Sequence, residues 1–367
     1  MASSIKHIAI DARIINSSTG TYVERLLHFL QENDTTNNYT VILRSEDADF
    51  WKPTAKNFTV RFADYADYSF GEQLGLKKFL DELKPDLVHF CMPQQPILYK
   101  GKKVTTIHDL TLLREYNSDK NFFIYKFKQL VGRFVFKKVA QDSQAVIVPT
   151  NYTREDLLSF VNIPTDKIYT TYEAATIGQF VPKKYDIPYK KFLLNVGQHS
   201  DYKNIIRLGE AHQRLLTKYP DLGLIFINRP TEALLLNEAL FKKRRYKNIH
   251  FTYGISKNER DYIYEHATVC VTPSLREGFG LPGLEAMGFG VPVVSSSATC
   301  LPEVYGDGAL FFDPLNVEEM ADQIDKVLSD DNLRRDLIKK GKARHAFFSW
   351  NKMAKETLAV YKKVLGI

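Results

Sequence analysis

Two glutamates stand eight positions apart around a glycine-rich stretch, Glu277-Gly-Phe-Gly-Leu-Pro-Gly-Leu-Glu285. An ionised carboxylate accepts several hydrogen bonds, and charge-assisted bonds are roughly twice as strong as neutral ones, so acids here suit a ligand that presents vicinal hydroxyls. A second feature is Lys203-Asn204, which follows the apolar run Phe192 to Val196 and Gly197. A lysine ammonium is a suitable point-charge partner for phosphate. A third is His108-Asp109, at the end of the run Val104 to Ile107. A lone histidine at a strand end is more often structural, because neutral imidazole is easily satisfied locally.

The elements around the glutamates follow from local pattern. Thr268 to Thr272 favours a strand, and Pro273, Ser274 and the glycines form a loop. Pro282 suits the first turn of a short helix ending near Gly290, and Val291 to Ser295 is the next strand. Strand, helix and strand make a right-handed parallel unit whose loops gather at the strands' carboxyl ends, where open α/β sheets bind ligands. Free N–H groups at the helix start favour phosphate, and Gly278 and Gly280 leave room for it.

A literal G-x-G-x-x-G runs from Gly278 to Gly283 and raises the alternative of a nicotinamide or flavin dinucleotide fold. That fingerprint needs an acid at the end of the next strand. This strand runs instead into Ser295-Ser-Ser-Ala, with Glu303 beyond a further proline.

The same βα rhythm extends over the chain. Strands are expected at Ile5–Asp11, Thr40–Leu43, Thr59–Phe62, Leu87–Phe90, Ala145–Pro149, Leu224–Asn228, Ile249–Thr252 and Ala309–Phe312, with a helix at Glu72–Leu83. Thr153 to Asp156 has N-cap chemistry, Asn316 to Glu319 resembles a capping box, and Ser349 caps a last helix carrying Trp350, Met353, Leu358 and Tyr361 at helical spacing. A stretch without periodicity, Ala175 to Lys191, suits a hinge. The domains are expected at 1–180 and 181–348, with a final helix over 349–367. At 367 residues two domains are the better expectation.

The 44% hydrophobic and 25% charged content is that of an ordinary globular protein and does not indicate disorder. A net charge of +7 implies attraction to polyanions without choosing between nucleic acid, anionic lipid and phosphorylated substrate. Lys120 to Lys138 interleaves Phe122, Phe123, Tyr125, Phe127, Phe134 and Phe136 with bases, a pattern that serves either an anionic membrane surface or a helix packed on its own sheet. Cys91, Cys270 and Cys300 have no metal-ligand spacing, and two of them adjoin apolar runs where buried thiols are usual. Without a signal-peptide core or a spanning apolar run, a cytoplasmic location is expected, with peripheral placement on the inner face of the membrane as an option.

The paired-glutamate stretch resembles the signature of the family 4 retaining glycosyltransferases, and strand, glycine and Lys203-Asn204 match that family's phosphate-binding segment. The resemblance implies the GT-B fold: two doubly wound, Rossmann-like α/β domains facing a central cleft. It implies catalytic roles for His108, Glu277 and Lys203, with Glu277 and His108 on the donor sugar and Lys203 on the diphosphate. It implies a donor-binding set of Gly20, Gly197, Lys203, Ser274, Gly278, Phe279, Gly280, Leu281 and Glu285, in which Glu285 holds the ribose and Gly20 lies in a loop near the phosphates. Tyr253-Gly254 resembles the turn that seats the nucleobase. The sequence departs from the family at Gln198 and Tyr202, where arginines are frequent.

The expected activity is retaining transfer of a hexose, mannose from GDP-mannose by preference, to a glycan or lipid-linked hydroxyl. No metal, cofactor or nucleic-acid partner is expected. The rival readings are a catalytically silent scaffold or polyanion-binding relative, and a nucleotide-sugar epimerase of the same fold, for which no acid/base set is found.

Overall fold

Among the described residues the apolar runs become the strands of two parallel sheets, each in its own unit. The structure is a computed structural model that describes residues 5–17, 19–67, 69–114 and 122–367, without the side chains of 122–128. The first unit contains β1 (His7–Asp11), β2 (Asn38–Leu43), β3 (Phe58–Phe62), β4 (Leu87–Phe90), β5 (Lys103–Thr106), β6 (Ala145–Val148) and β7 (Ile168–Thr170). Their spatial order is β3-β2-β1-β4-β5-β6-β7, and every pairing is parallel. Such strands are covered on both faces, which is why they read as continuous apolar runs: Ile8, Ala9 and Ile10 of β1 are fully buried. Ile10 sits between Val41 of β2 and His89 of β4. The chain moves outward from β1 to β3 and then restarts beside β1 with β4, so the order reverses between β1 and β4. A doubly wound sheet opens its ligand crevice at such a reversal.

The second unit repeats the plan with β8 (Phe192–Val196), β9 (Gly223–Ile227), β10 (Ile249–Phe251), β11 (Val269–Thr272), β12 (Val293–Ser296) and β13 (Ala309–Phe312), ordered β10-β9-β8-β11-β12-β13. Its reversal lies between β8 and β11. That places the loop after Val196 beside the loop after Thr272. Leu193, Phe226, Val271 and Val294 of the sheet pack with Leu208 of helix Ile205–Leu215 and Ile324 of helix Val317–Ser329 into one core.

The first unit takes in the described residues up to 173 and the closing segment Ser349–Ile367, and the second runs from Ala174 to Phe348. Residues 174–180 thus fall with the second unit, ahead of the boundary expected from composition. The physical reason is local: the Ala175 backbone hydrogen-bonds His345, and Ile177 packs at Gly288. The last helix, Trp350–Leu365, belongs to the first unit and packs on helix Gly20–Asn33, where Asn33 Nδ2 donates to Asn351 Oδ1 at 2.9 Å. Its Met353 is fully buried, a contribution of about 1.5 to 3 kcal/mol relative to exposure.

Some expectations need correcting in detail. The helix expected to be capped within 153–156 begins earlier, at Asn151, because Thr150 accepts the Thr153 N–H. Asn316 does cap its helix, accepting from Glu318 and Glu319, but Glu319 Oε2 takes the Asp313 N–H, so the reciprocal half of a capping box is spent elsewhere. A complete box occurs at Ser256 and Glu259. The run Glu72–Leu83 is a π-helical turn, Glu72–Leu76, followed by an α-helix, Lys77–Leu83.

Candidate functional site

The loops at the carboxyl ends of β8, β11 and β12 bring the central residues together. Gly197 follows β8 at φ +144°, a backbone region favouring glycine, and nothing lies within 4 Å of where a side chain would start. A 3₁₀ turn, Asp201–Lys203, ends at Asn204, whose backbone is left-handed at φ +59°. Asn204 Nδ2 donates to the carbonyls of Pro273 at 2.9 Å and Pro314 at 2.7 Å, and Leu275 N–H donates to Tyr202 O at 2.7 Å. These bonds fix Lys203 against the Ser274–Glu277 loop.

Lys203 Nζ then reaches Glu277 Oε1 at 2.7 Å, and Ser274 Oγ donates to the same oxygen at 2.6 Å. Glu277 N–H donates to Thr299 Oγ1 at 3.0 Å. Thr299 itself holds φ +54°, an outlier for a β-branched residue and a cost of order 1–3 kcal/mol that the surrounding bonds must offset. Two opposite charges, each mostly shielded from solvent, are therefore aimed at one spot at the sheet's reversal point. Lys203, expected on phosphate, and Glu277, expected on sugar, form an ion pair with each other.

Gly280 starts helix Leu281–Phe289 at φ +90°. A Cβ there would come within 2.7 Å of Leu301 Cδ2 and of the Tyr305 hydroxyl, and one at Gly283 would meet that hydroxyl at 2.4 Å. Tyr305 is thus a packing cause for glycine at Gly280, where close approach of a ligand was the expected reason, and also at Gly283. Phe279 is buried edge-on against Phe348, with centroids 5.3 Å apart, so its ring serves the core and leaves only its backbone for a ligand. Leu281 and Gly278 are half-buried beside them.

Glu285 stands outside the Lys203–Glu277 cluster in its contacts. Its Oε2 accepts from the Tyr264 hydroxyl at 2.9 Å and its Oε1 lies 3.6 Å from Arg260, both on helix Lys257–His266. Burial raises its pKa, and Arg260 and the Tyr264 bond oppose that rise.

In the first unit His108 lies just beyond β5. Nδ1 is 3.1 Å from Glu173 Oε1, Nε2 is 3.0 Å from Cys91 O, and the ring meets Tyr22 edge-on at 4.8 Å. Burial opposes the charged imidazole, yet the hydrogen bond and charge of Glu173, helped by Cys91 O and Asp109, raise its pKa above the ordinary value. Asp109 accepts from Thr111 N–H at 2.8 Å. Gly20 is needed for packing: a Cβ would lie 1.8 Å from the Ile15 carbonyl oxygen.

Several positions escaped sequence reasoning. Thr299, Tyr305, Tyr264, Arg260 and Glu173 each hold a predicted residue from a distant part of the chain. At the end of β1, Arg13 donates to Asp11 at 2.8 and 2.9 Å and to Glu72 at 3.0 Å, and Gln94 donates to Glu72 at 2.8 Å, all buried. The one local signal for this cluster is the short spacing of Asp11 and Arg13. All three cysteines are buried free thiols. Among the described residues no group of three His, Cys, Asp or Glu side chains is placed to hold a metal ion, and no helix is long and apolar enough to cross a membrane. Of the basic aromatic stretch, Lys120 and the side chains of Phe122, Phe123, Tyr125, Lys126, Phe127 and Lys128 lie outside the described residues.

Comparison with known proteins gives the same picture along both units. Residues 179–344 match the family model for glycosyl transferases group 1, and residues 19–174 match that for glycosyltransferase family 4. The chain is 31% identical over 278 residues, 71% of its own length and 70% of the relative's, to O-antigen chain mannosyltransferase B of Escherichia coli. Among solved structures it is similar to sucrose-phosphate synthase from Thermosynechococcus elongatus, with TM-score 0.81 at 18% identity, covering 98% of this chain and 99% of that one. It is also similar to Anabaena HepE in complex with UDP and glucose, with TM-score 0.76 at 13% identity, covering 98% and 100%.

Proposed function

Since the chain belongs to family 4 of the glycosyltransferases and has their two-domain GT-B fold, we propose that it transfers a hexose from a nucleotide diphosphate sugar to a hydroxyl of a glycan or lipid-linked acceptor, with retention of configuration and without a divalent ion. GDP-mannose is the preferred donor; the name of the E. coli relative, a mannosyltransferase, supports the sugar. The observation that carries the reading is the Lys203–Glu277 pair at the β8/β11 reversal. A donor diphosphate offers Lys203 a stronger partner than one carboxylate. Once Lys203 turns to phosphate, Glu277 keeps the Ser274 bond and is freed to accept from sugar hydroxyls.

The chemistry follows from that exchange. Negative charge grows on the departing diphosphate as the sugar leaves. Preorganised donors aimed at developing charge are usually the largest catalytic contribution. Lys203 and the N–H groups at the start of helix Leu281–Phe289 are such donors. The leaving phosphate oxygen takes the acceptor's proton on the same face, so no carboxylate pair of the glycosidase kind is required. Glu285, oriented by Tyr264 and Arg260, accepts from the ribose hydroxyls.

Thermal shift with a panel of nucleotide sugars tests the reading, because a ligand that binds only the folded state raises apparent stability by mass action. GDP-mannose is expected to give the largest shift. Equal, negligible shifts across the panel at millimolar ligand would count against a donor site.

The proposed location is cytoplasmic, with peripheral contact to an anionic membrane carrying the acceptor. Helix Phe122–Asp142 buries Phe136, Val139 and Ala140 while leaving Leu130, Val131 and Phe134 exposed beside Arg133 and Lys137. That combination fits an interfacial helix.

A further inference from the structure

His108 has two ring nitrogens and two partners that can only accept: the Cys91 carbonyl at 3.0 Å and the Glu173 carboxylate at 3.1 Å. A neutral imidazole carries one N–H, so it cannot donate to both; an imidazolium can. Both contacts are shielded, with the His108 and Glu173 side chains 12% and 8% exposed, so an unmet acceptor would be costly. We propose that Glu173 is a positioning residue for the transfer reaction, holding His108 as an imidazolium clamped between the ends of β4 and β7 at the carboxyl side of the first unit's sheet. The proposal rests on the reading of His108 as part of the transferase site.

The surroundings support a single charged histidine here. His89, on β4, is held neutral: burial lowers its pKa to about 3, with the His108 charge adding to that, and its nitrogens are shared with Tyr361 and Thr106. The other groups around His108 are Tyr22 on helix Gly20–Asn33, Cys91 after β4 through its carbonyl, Asp109 next in sequence, and Thr153, whose hydroxyl donates to His108 O at 3.4 Å. Burial raises the Tyr22 and Cys91 pKa values, so neither is charged near neutral pH. Glu173 is therefore the direct charge partner, and Asp109 assists from the flank.

The clamp joins three stretches far apart in sequence, and Glu173 is the final residue of the first unit before the chain passes to Ala174. Both ring N–H groups are spent on protein acceptors. His108 therefore acts by its fixed position and charge rather than by passing a proton. Losing the imidazolium proton leaves one acceptor unmet and loosens the clamp.

The test uses the full chain with histidine labelled for imidazole nitrogen NMR, together with the pH dependence of kcat/KM. In the wild type His108 is expected doubly protonated at neutral pH, with activity falling as pH rises through its titration. Glu173→Gln keeps the shape but removes the charge, and an opposite charge at this range is worth roughly one to three pH units. Both the NMR titration and the alkaline limb should move to lower pH by about one unit or more, and Glu173→Asp should restore part of the shift. An unmoved His108 titration in Glu173→Gln, or a wild-type His108 with one bare nitrogen at neutral pH, overturns the clamp. A shifted titration with an unshifted kcat/KM profile overturns the positioning role. If no nucleotide sugar supports turnover at all, the transferase reading fails instead, and the NMR titration still decides the clamp.

Discussion

Tyr305 donates its hydroxyl proton to the Gly280 carbonyl at 2.6 Å, and its hydroxyl and ring lie where side chains at Gly280 and Gly283 would begin. One aromatic residue from the following helix thus sets the backbone of the loop that leads into helix Leu281–Phe289. Tyr305→Phe removes the bond and keeps the ring, so a loss of roughly 0.5 to 1.5 kcal/mol is expected, together with weaker nucleotide binding. Gly280→Ala adds both a clash and an unfavourable φ, so its loss should be clearly larger. Denaturant midpoints of the two variants check the order; a Gly280→Ala protein as stable as the wild type contradicts it.

Glu285 is expected to hold the donor ribose. Replacing it by Gln removes a charge-assisted acceptor, a loss of roughly 1.5 to 3 kcal/mol or about 10- to 150-fold in affinity. Calorimetry with the bare nucleotide diphosphate reads this directly. Unchanged affinity would return Glu285 to a purely structural partnership with Tyr264 and Arg260.

Asp34 gives a pH prediction for stability. Burial tends to raise its pKa, but bonds from the Tyr39 hydroxyl and the Asn37 side chain, both 2.7 Å, and from the Asn37 and Thr36 N–H groups outweigh it and lower the folded value below 3.8. A depressed folded pKa contributes stability that is fully present above the unfolded pKa and lost as pH falls through the folded one. Asp34→Asn should therefore be less stable than the wild type at pH 7, and the gap should close on acidification below pH 4. A gap that stays constant to pH 2 would show that the bonds do not depend on ionisation.

The membrane reading predicts that the protein sediments with vesicles rich in anionic lipid at low salt and is released by salt. Each base near such a surface contributes about 1 kcal/mol. Replacing Leu130 and Phe134 by Ser, with Arg133 and Lys137 by Gln, should abolish sedimentation while leaving donor binding intact. A wild-type protein that never sediments would leave this helix as a packing element.

Much of the fold was legible because parallel strands buried on both faces are written as short apolar runs. Phe192–Val196, Leu87–Phe90 and Ala309–Phe312 match the observed strands to the residue. Strand β7 was not foreseen, since Ile168-Tyr-Thr170 is too short to show a period. Helix starts were ambiguous where hydroxyl residues cluster, as at Thr150 and Thr153. At the site, the residues with distinctive local spacing were visible: Glu277, Glu285, Lys203 and the glycines. Their holders were not. Thr299 meets the Glu277 backbone across 22 positions, Tyr264 meets Glu285 across 21, and Glu173 meets His108 across 65. No local pattern encodes such contacts, and Glu173 sits in an unremarkable Tyr-Glu-Ala.

The central claim is that Glu277 contacts the donor sugar and that transfer keeps the donor's configuration. Glu277→Gln should lower kcat and kcat/KM together while leaving binding of the bare diphosphate nearly unchanged, as expected for an interaction strengthened only in the transition state. The most direct measurement is NMR assignment of the anomeric linkage in the product formed from GDP-mannose. An α-linked product from the α-configured donor is the predicted result, and a β-linked product would contradict the account at its base.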